Sequence, residues 1–308
     1  VPPRVGPVKV IVTGASGLIG TALVQALQAR GDEVTRLVRR APATGEARWD
    51  PDAGQIDADA LNGQDAVVHL AGVGIGDHRW TAEHKRAVLD SRVKGTTLLS
   101  ETLADLSDKP AVLASASAMG YYGLRGDEVL TEDSEAGTGF LAEVCTQWEA
   151  ATAPAEDAGI RVVHLRTGLV LSPDGGALKQ ALLPFKLGLG GRIGNGRQWW
   201  SWIAIDDEVG AILQLIGSDD ATRGPVNLTA PNPVTNEEFT RTLNGVLHRP
   251  TLLPTPTFAL KAMFGSEAVN EMFLGGQRVV PARLQADGYA FRHTQLEGAL
   301  RHLLHKGA

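Results

Sequence analysis

The sequence predicts an α/β protein built on a doubly wound parallel sheet. Two observations carry this prediction. Short β-branched apolar runs alternate with helical patterns along most of the chain, and the first run passes through a glycine-rich turn straight into a helix.

The first element lies in residues 8–20, VKVIVTGASGLIG. Val8, Val10, Ile11 and Val12 have the composition of a buried strand. Ile19, Ala22, Leu23, Ala26 and Leu27 then fall on one face of a helix. Between them runs Thr13-Gly14-Ala15-Ser16-Gly17-Leu18-Ile19-Gly20. A glycine-rich turn in that position lets backbone N–H groups and a helix N-terminus meet a pyrophosphate, so the context predicts a dinucleotide site. Glycines at this spacing also serve tight turns with no ligand; the flanking strand and helix favour the nucleotide.

Residues 33–40 (EVTRLVRR) form the second strand, ending about 20 residues after the turn. An acid there would accept hydrogen bonds from the ribose hydroxyls of NAD. This chain instead has Val38-Arg39-Arg40. A guanidinium pairs bidentately with a 2′-phosphate, which a carboxylate would repel. The expectation is NADP(H) rather than NAD(H), with Arg39 as the main contact; the competing reading is a solvated strand end.

Residues 41–62 read as loop with at most a short helix, and residues 65–72 (DAVVHLAG) as a buried strand ending in small residues that admit a nucleotide closely. Residues 81–104 are helical, marked by Val88, Val93, Leu98, Leu99 and Leu103. A strand at 111–117 (AVLASAS) opens into Ala118-Met119-Gly120-Tyr121-Tyr122-Gly123. A helix over 140–158 and a strand over 161–171 (RVVHLRTGLVL) follow. Residues 188–196 (GLGGRIGNG) are flexible, and Trp199, Trp200 and Trp202 precede Asp206-Asp207. The tryptophans would stack on a planar ligand or cement a junction, and the two aspartates would fix loop geometry. Then come a helix at 209–216, a strand at 226–229, and a helix at 235–247 capped by Thr235 or Asn236. A proline-punctuated stretch at 252–256 leads into short helices from Phe258 onward.

With 308 residues the chain suits one large α/β domain or a nucleotide domain with a smaller partner. A net charge of −6 gives no electrostatic footprint for nucleic acid or an anionic membrane surface. No run of about 18 apolar residues exists, so no membrane span is expected. The opening VPPRVGP lacks the apolar core of a signal peptide and reads as a flexible leader. The single cysteine, Cys145, excludes an intramolecular disulfide and reads as a buried structural thiol. The eight histidines show no metal-ligand spacing with acidic or cysteine partners, so no metal is expected. The expected setting is the cytoplasm, with a small-molecule substrate, neither nucleic acid nor membrane as partner, and a monomer or homodimer.

TGASGLIG, DAVVHLAG, the serine-bearing strand before Tyr122-Gly123, and Arg166-Thr167-Gly168-Leu169-Val170 together resemble an extended short-chain dehydrogenase/reductase. GNGRQWWSWIAIDD is similar to the segment with which such enzymes reach a substrate domain. Closer still is an atypical epimerase-like subgroup with an added C-terminal domain of unknown function, matched by FLAEVCTQWEA, PDGGAL, PFKLGLGG, NLTAPNPVTNEEF and GGQRVVPARLQADGYAF. The resemblance implies an NADP-binding Rossmann domain over 8–170, to which 203–226 returns. It implies a smaller C-terminal α/β substrate domain from 171–202 and 227–308. It implies that Gly14, Ser16, Gly17, Leu18 and Ile19 wrap the pyrophosphate and that Val38 and Arg39 meet the adenosine end. Leu70 and Ala71 would line the path to the ribose, Arg92 would help hold the phosphates, and Gly168 to Val170 would pass the nicotinamide.

Such enzymes usually move a proton with a Tyr-x-x-x-Lys pair and support the oxyanion with a nearby hydroxyl. Here the positions four residues after Tyr121, Tyr122 and Tyr289 hold Arg125, Gly126 and His293. On the helix where the pair belongs, Phe140 with Val144, or Leu141 with Cys145, has the spacing. The dyad is absent. Ser117, at the strand end, and Tyr122 become the catalytic candidates, with Ser115 a more distant alternative; Glu143 and Glu149 read as helix surface or as packing. The expectation is an NADP(H)-dependent oxidoreductase or epimerase-like enzyme on a small carbonyl or sugar-like substrate. Its rival is an NADPH-responsive regulator or scaffold with little or no catalysis.

Overall fold

The structure, a computed structural model, describes residues 6–217, 222–250 and 254–305. Residues 1–5 of the stretch expected to be a flexible leader, and 252–253 of the proline-punctuated stretch, lie outside the described residues. The first half runs β1 (Lys9–Thr13), α1 (Leu18–Ala29), β2 (Glu33–Val38), β3 (Glu46–Asp50), β4 (Gln55–Ile56), α2 (Ala58–Leu61), β5 (Ala66–His69), α3 (Ala82–Asp105) and β6 (Val112–Ala118). A 3-10 turn over Met119–Tyr122 leads to β7 (Val129–Leu130), α4 (Phe140–Ala150), α5 (Ala153–Asp157), β8 (Arg161–Thr167) and β9 (Leu169–Leu171). Then follow α6 (Gly176–Lys186), β10 (Trp199–Trp200), β11 (Trp202–Ala204), α7 (Ile205–Gly217), β12 (Gly224–Leu228), β13 (Val234–Thr235) and α8 (Asn236–Leu247). The last part holds α9 (Thr257–Phe264), α10 (Ser266–Ala268), a π-helical turn at Val269–Leu274, β14 (Arg278–Val279), α11 (Ala282–Ala286) and α12 (Leu296–Leu303).

Eight strands make the central sheet in the order β12-β8-β6-β5-β1-β2-β3-β4. Every neighbouring pair is parallel except the edge pair β3–β4. Strand alternation explains why both faces are covered. Val10 and Val12 of β1 pack in one core with Leu23 and Leu27 of α1 and Ile212 and Leu215 of α7. Ile11, between them, joins Leu99 and Leu103 of α3 and Ala155 of α5 on the other face. The sheet is doubly wound, as expected. From β1 the chain steps outward through β2 and β3 and then returns to β5 on the opposite side of β1. In open α/β sheets that reversal opens a crevice at the carboxyl ends of the strands, where ligands bind.

A second core gathers Trp202, Phe239, Leu243, Leu182 and Phe185 around Leu296, Leu300 and Leu303 of α12. Thr235 caps α8 through a reciprocal capping box with Glu238. Among the described residues no helix is long and apolar enough to cross a membrane.

Three expectations need correction. Residues 41–62 are not a plain loop: β3 and β4 form an antiparallel edge hairpin, with Ala47 and Trp49 buried and their neighbours more open. The helix expected over 140–158 is two helices, because Pro154 begins α5 rather than continuing α4. The strand over 161–171 divides at Gly168. There β8 stays in the main sheet while β9 leaves it to pair with β11. A Cβ at Gly168 would lie 2.6 Å from the Ser201 carbonyl oxygen and 2.8 Å from Thr229 Cγ2, so the crossing leaves room only for glycine.

Candidate functional site

The crevice at the β1/β5 switch is a cleft of about 600 Å³. The turn after β1 forms one wall with Gly14, Ala15, Ser16 and Gly17; Val38 and Arg39 follow β2; Leu70 and Ala71 follow β5. Trp49, Pro51 and Asp52 close the side contributed by the β3–β4 hairpin, a part of the lining that sequence reading missed.

The turn is built for close approach. Gly14 has φ +65°, and a Cβ there would sit 2.7 Å from the Leu70 carbonyl carbon and oxygen. A Cβ at Gly20 would collide with the Gly14 carbonyl oxygen. Gly17 caps α1 without a side-chain hydrogen bond, and no acidic residue occupies the first turn. The helix therefore offers uncapped N–H donors, with no carboxylate in that turn to compete for them. Leu18 reaches the other way, its Cδ1 3.0 Å from where a Cβ on Gly175 would stand, and Ile19 packs against the core. These two could meet a ligand only through their backbone.

Thr13 and His69 hold the two strand ends together. The Thr13 hydroxyl accepts the N–H groups of Leu70 (3.0 Å) and Ala71 (3.2 Å), so its proton goes to His69 Nδ1 at 2.7 Å. Nε2 then carries the ring proton and donates to Thr96 Oγ1 at 3.0 Å. Burial, with the nearby Arg92 charge adding to it, pushes the imidazole down to about 4 and keeps it neutral.

The arginines at the end of β2 differ in their obligations. Arg40 is clamped by Glu46 through two contacts of 2.7 Å, and Arg36 reaches the same carboxylate at 3.5 Å. Hydrogen bonding to Arg40 holds the Glu46 carboxyl below its usual range. Among the described residues, exposed Arg39 has neither an ion pair nor a side-chain hydrogen bond. Arg92 does something else. Its Nη1 donates to the carbonyls of Val73 (2.9 Å) and Val88 (3.1 Å), its guanidinium lies over the Trp148 ring, and it packs beneath Gly72. That geometry ties the guanidinium through Nη1 to the loop after β5.

The catalytic candidates are buried and engaged. Ser117, Arg166 and Asn227 stand side by side across β6, β8 and β12. Glu149 of α4 receives Arg166 bidentately at 2.8 and 2.8 Å, and also the Ser117 hydroxyl at 2.6 Å. Arg166 Nη1 donates to the Tyr122 hydroxyl at 3.1 Å, which in turn donates to Asn227 Oδ1 at 2.6 Å. Tyr122 is 0% exposed and Ser117 4%. Burial raises the Tyr122 phenol to about 12, although Arg166 and Asn227 pull it the other way. Neither hydroxyl is free to meet a substrate. Ser115 is also buried, and its hydroxyl has no partner among the described residues. Glu149, expected on the helix surface or in its packing, is the acceptor that a buried strand arginine requires; Arg166 was the available signal for it.

The positions with dyad spacing are apolar. Leu141 Cβ lies 3.0 Å and Cys145 Sγ 3.7 Å from where a Cβ on Gly120 would stand, and the Cys145 thiol donates to the Ala118 carbonyl at 3.6 Å. Burial pushes that thiol up to about 11, so it is a structural group and not a nucleophile. Gly168 and Val170 lie where β8 hands over to β9. Trp202 is buried in the second core, Trp200 packs on Phe239, and Arg278 lies over the Trp199 ring.

The model of the NAD dependent epimerase/dehydratase family matches residues 10–228. The chain belongs to that family. A second model, a domain of unknown function (DUF1731), matches residues 255–303 of this epimerase-family chain. Its relatives include an epimerase family protein of Mycobacterium bovis, 48% identical over 292 residues covering 94% of this chain and 96% of the relative. The human epimerase family protein SDR39U1 is 38% identical over 299 residues, covering 96% and 99%. A crystal structure of the human protein with NADPH superposes with a TM-score of 0.89 at 36% identity, covering 97% of this chain and 99% of that one. A nucleoside-diphosphate sugar epimerase from Corynebacterium glutamicum has a TM-score of 0.81 at 41% identity, covering 97% of this chain and 58% of that chain.

Proposed function

We propose that this epimerase-family chain binds NADP(H) in the β1/β5 cleft and acts as an oxidoreductase or epimerase-like enzyme on a small carbonyl or sugar-like substrate. The observation that carries the cofactor reading is an arginine without a partner, Arg39, on the wall of a glycine-lined cleft whose other strand-end arginine is already neutralised. A 2′-phosphate supplies the counter-charge that the Arg39 guanidinium lacks among the described residues. The space left by Gly14 and Gly17 and the uncapped N–H groups at Leu18 and Ile19 fit a pyrophosphate. Val38 would border the adenosine, Leu70 and Ala71 the ribose, and Gly168 and Val170 the nicotinamide end. Arg92 would act through the loop it holds. The human relative crystallised with NADPH supports the same choice of cofactor.

When bound, the dinucleotide would donate or accept a hydride at its nicotinamide ring. Orientation by the cleft can support that transfer without the usual dyad. A second reading, an NADPH-responsive regulator or scaffold, has its own support: Leu141 and Cys145 have the dyad spacing, and Ser117 and Tyr122 are tied into the sheet.

Titration with NADPH and NADH, on the wild type and on Arg39→Ala, tests the cofactor. Wild type should prefer NADPH, and the variant should lose about 1.5–3 kcal/mol of NADPH affinity, the range for a hydrogen bond to a charged group, with NADH affinity unchanged. Equal affinities in the wild type would refute the reading. Anaerobic oxidation of bound NADPH across a panel of carbonyls and quinones separates enzyme from regulator: turnover supports the first, and tight binding without turnover supports the second.

A further inference from the structure

We propose that Asp206, His293 and His302 form a divalent-cation site of the zinc class, joining the epimerase-family part of the chain to its C-terminal segment. The one-atom ligands these three side chains offer all lie within 4.8 Å of one another. His302 Nε2 is 3.1 Å from Asp206 Oδ2, and the rings of His293 and His302 lie 4.7 Å apart with planes tilted by 35°. Bond lengths of about 2.0–2.2 Å around a tetrahedral zinc imply ligand separations of roughly 3.3–3.5 Å. The His302–Asp206 pair is already that close, and a small swing of the His293 ring completes the triangle.

Each ligand stands on a fixed support. Asp206 lies in the first turn of α7, and its neighbour Asp207 is fully buried. Asp207 accepts the backbone N–H groups of Arg292 (2.7 Å) and His293 (2.9 Å), which sets the His293 loop against Asp206. His302 lies in the last turn of α12, whose Leu296, Leu300 and Leu303 are packed in the second core. His302 is exposed and the other two are half-buried, so a cation can enter and a water can fill the fourth position. Two imidazoles and one carboxylate suit zinc and its neighbours in the first transition row; magnesium and calcium prefer oxygen ligands. Asp206 falls inside the epimerase match and both histidines inside the DUF1731 match. A bound cation would therefore clip α7 to α12.

The test uses the full chain, stripped with chelator and desalted, titrated with Zn²⁺ by calorimetry and with Co²⁺ by visible absorption. The expected result is one cation per chain, Co²⁺ d–d bands of a low-coordinate N/O site, and a rise in melting temperature that Mg²⁺ does not reproduce. His302→Ala, His293→Ala and Asp206→Asn should each weaken Zn²⁺ binding at least about tenfold, the lower range for damage to a metal site. His78→Ala should bind as the wild type does. Circular dichroism and NADPH affinity separate loss of a ligand from loss of fold; exposed His302 is the variant least able to disturb folding. Unchanged Zn²⁺ stoichiometry and affinity in the His293→Ala/His302→Ala double variant, or no saturable binding by the wild type, would overturn the proposal.

Discussion

Replacing Glu149 with alanine should strongly destabilise the protein. The carboxylate and its partner are both withdrawn from water: the Arg166 side chain is 3% exposed and that of Glu149 11%. At 2.8 Å and an effective dielectric of about 20, the gross attraction is about 6 kcal/mol, much of it offset by desolvation. Removing one partner leaves the other's desolvation uncompensated, which costs about 3–5 kcal/mol. Arg166 would lose both oxygens of its bidentate acceptor, and Ser117 the carboxylate it donates to at 2.6 Å. At about 2.1 cal/mol/K of unfolding entropy per residue, each kcal/mol moves the melting temperature of this 308-residue chain by about 1.5 °C, so it should fall by roughly 5–8 °C. Thermal unfolding by circular dichroism, with urea unfolding as a second route, reads this directly. A loss below about 1 kcal/mol, the scale of an exposed pair, would refute the reasoning. The double variant Glu149→Leu/Arg166→Met should recover much of the loss, since a packed apolar pair often replaces a buried ion pair at little cost.

Three further outcomes are expected. Gly14→Ala should weaken NADPH binding at least about tenfold, or 1.4 kcal/mol, because its Cβ would drive the turn away from Leu70; an unchanged fluorescence titration would refute this. His69, held down to about 4 by burial, should make the fold acid-sensitive. Its contribution is complete above about pH 6.5 and is lost as pH falls toward about 4, by roughly 3 kcal/mol in all; urea midpoints of His69→Gln should show a flatter decline over that window. Burial raises the Glu208 carboxyl from 4.5 to about 8, against a single hydrogen bond from Thr167 at 2.9 Å. Its contribution is therefore complete below about pH 4.5 and lost as pH rises through about 8, so Glu208→Gln should gain roughly 4 kcal/mol over the wild type at about pH 8 and little at about pH 4.5. Melting curves at the two pH values check the sign.

Local patterning made the sheet readable. Val10, Ile11 and Val12 announce a strand buried on both faces, and the Gly14–Gly20 turn announces the helix α1. The β3–β4 hairpin was harder, because only Ala47 and Trp49 mark its inner face among charged neighbours, and five residues are too few to separate alternation from chance. The glycine turn and Arg39 were legible because a βαβ unit fixes where each must fall. The Glu149–Arg166 network was not, since it depends on which helix face meets which strand. The Asp206–His293–His302 cluster lay further out of reach: it brings together residues 96 apart in sequence, and metal-ligand spacing rules see only near neighbours.

Glu271 ties the beginning of α4 to the far end of the chain. Both its oxygens accept N–H groups of the first turn, from Phe140 at 3.1 Å and Leu141 at 3.0 Å, while Gly139 has no side chain to cap with. Counted along the ribosome's output this cap arrives late. The helix emerges 131 residues before its acceptor, which at about 5–20 residues per second is a wait on the order of 10 s. During that interval α4 has strand partners but no lock on its first turn. A nascent chain halted short of Glu271 should present this helix frayed to chaperones and proteases, and its completion should coincide with release of the C-terminal segment rather than with closure of the sheet.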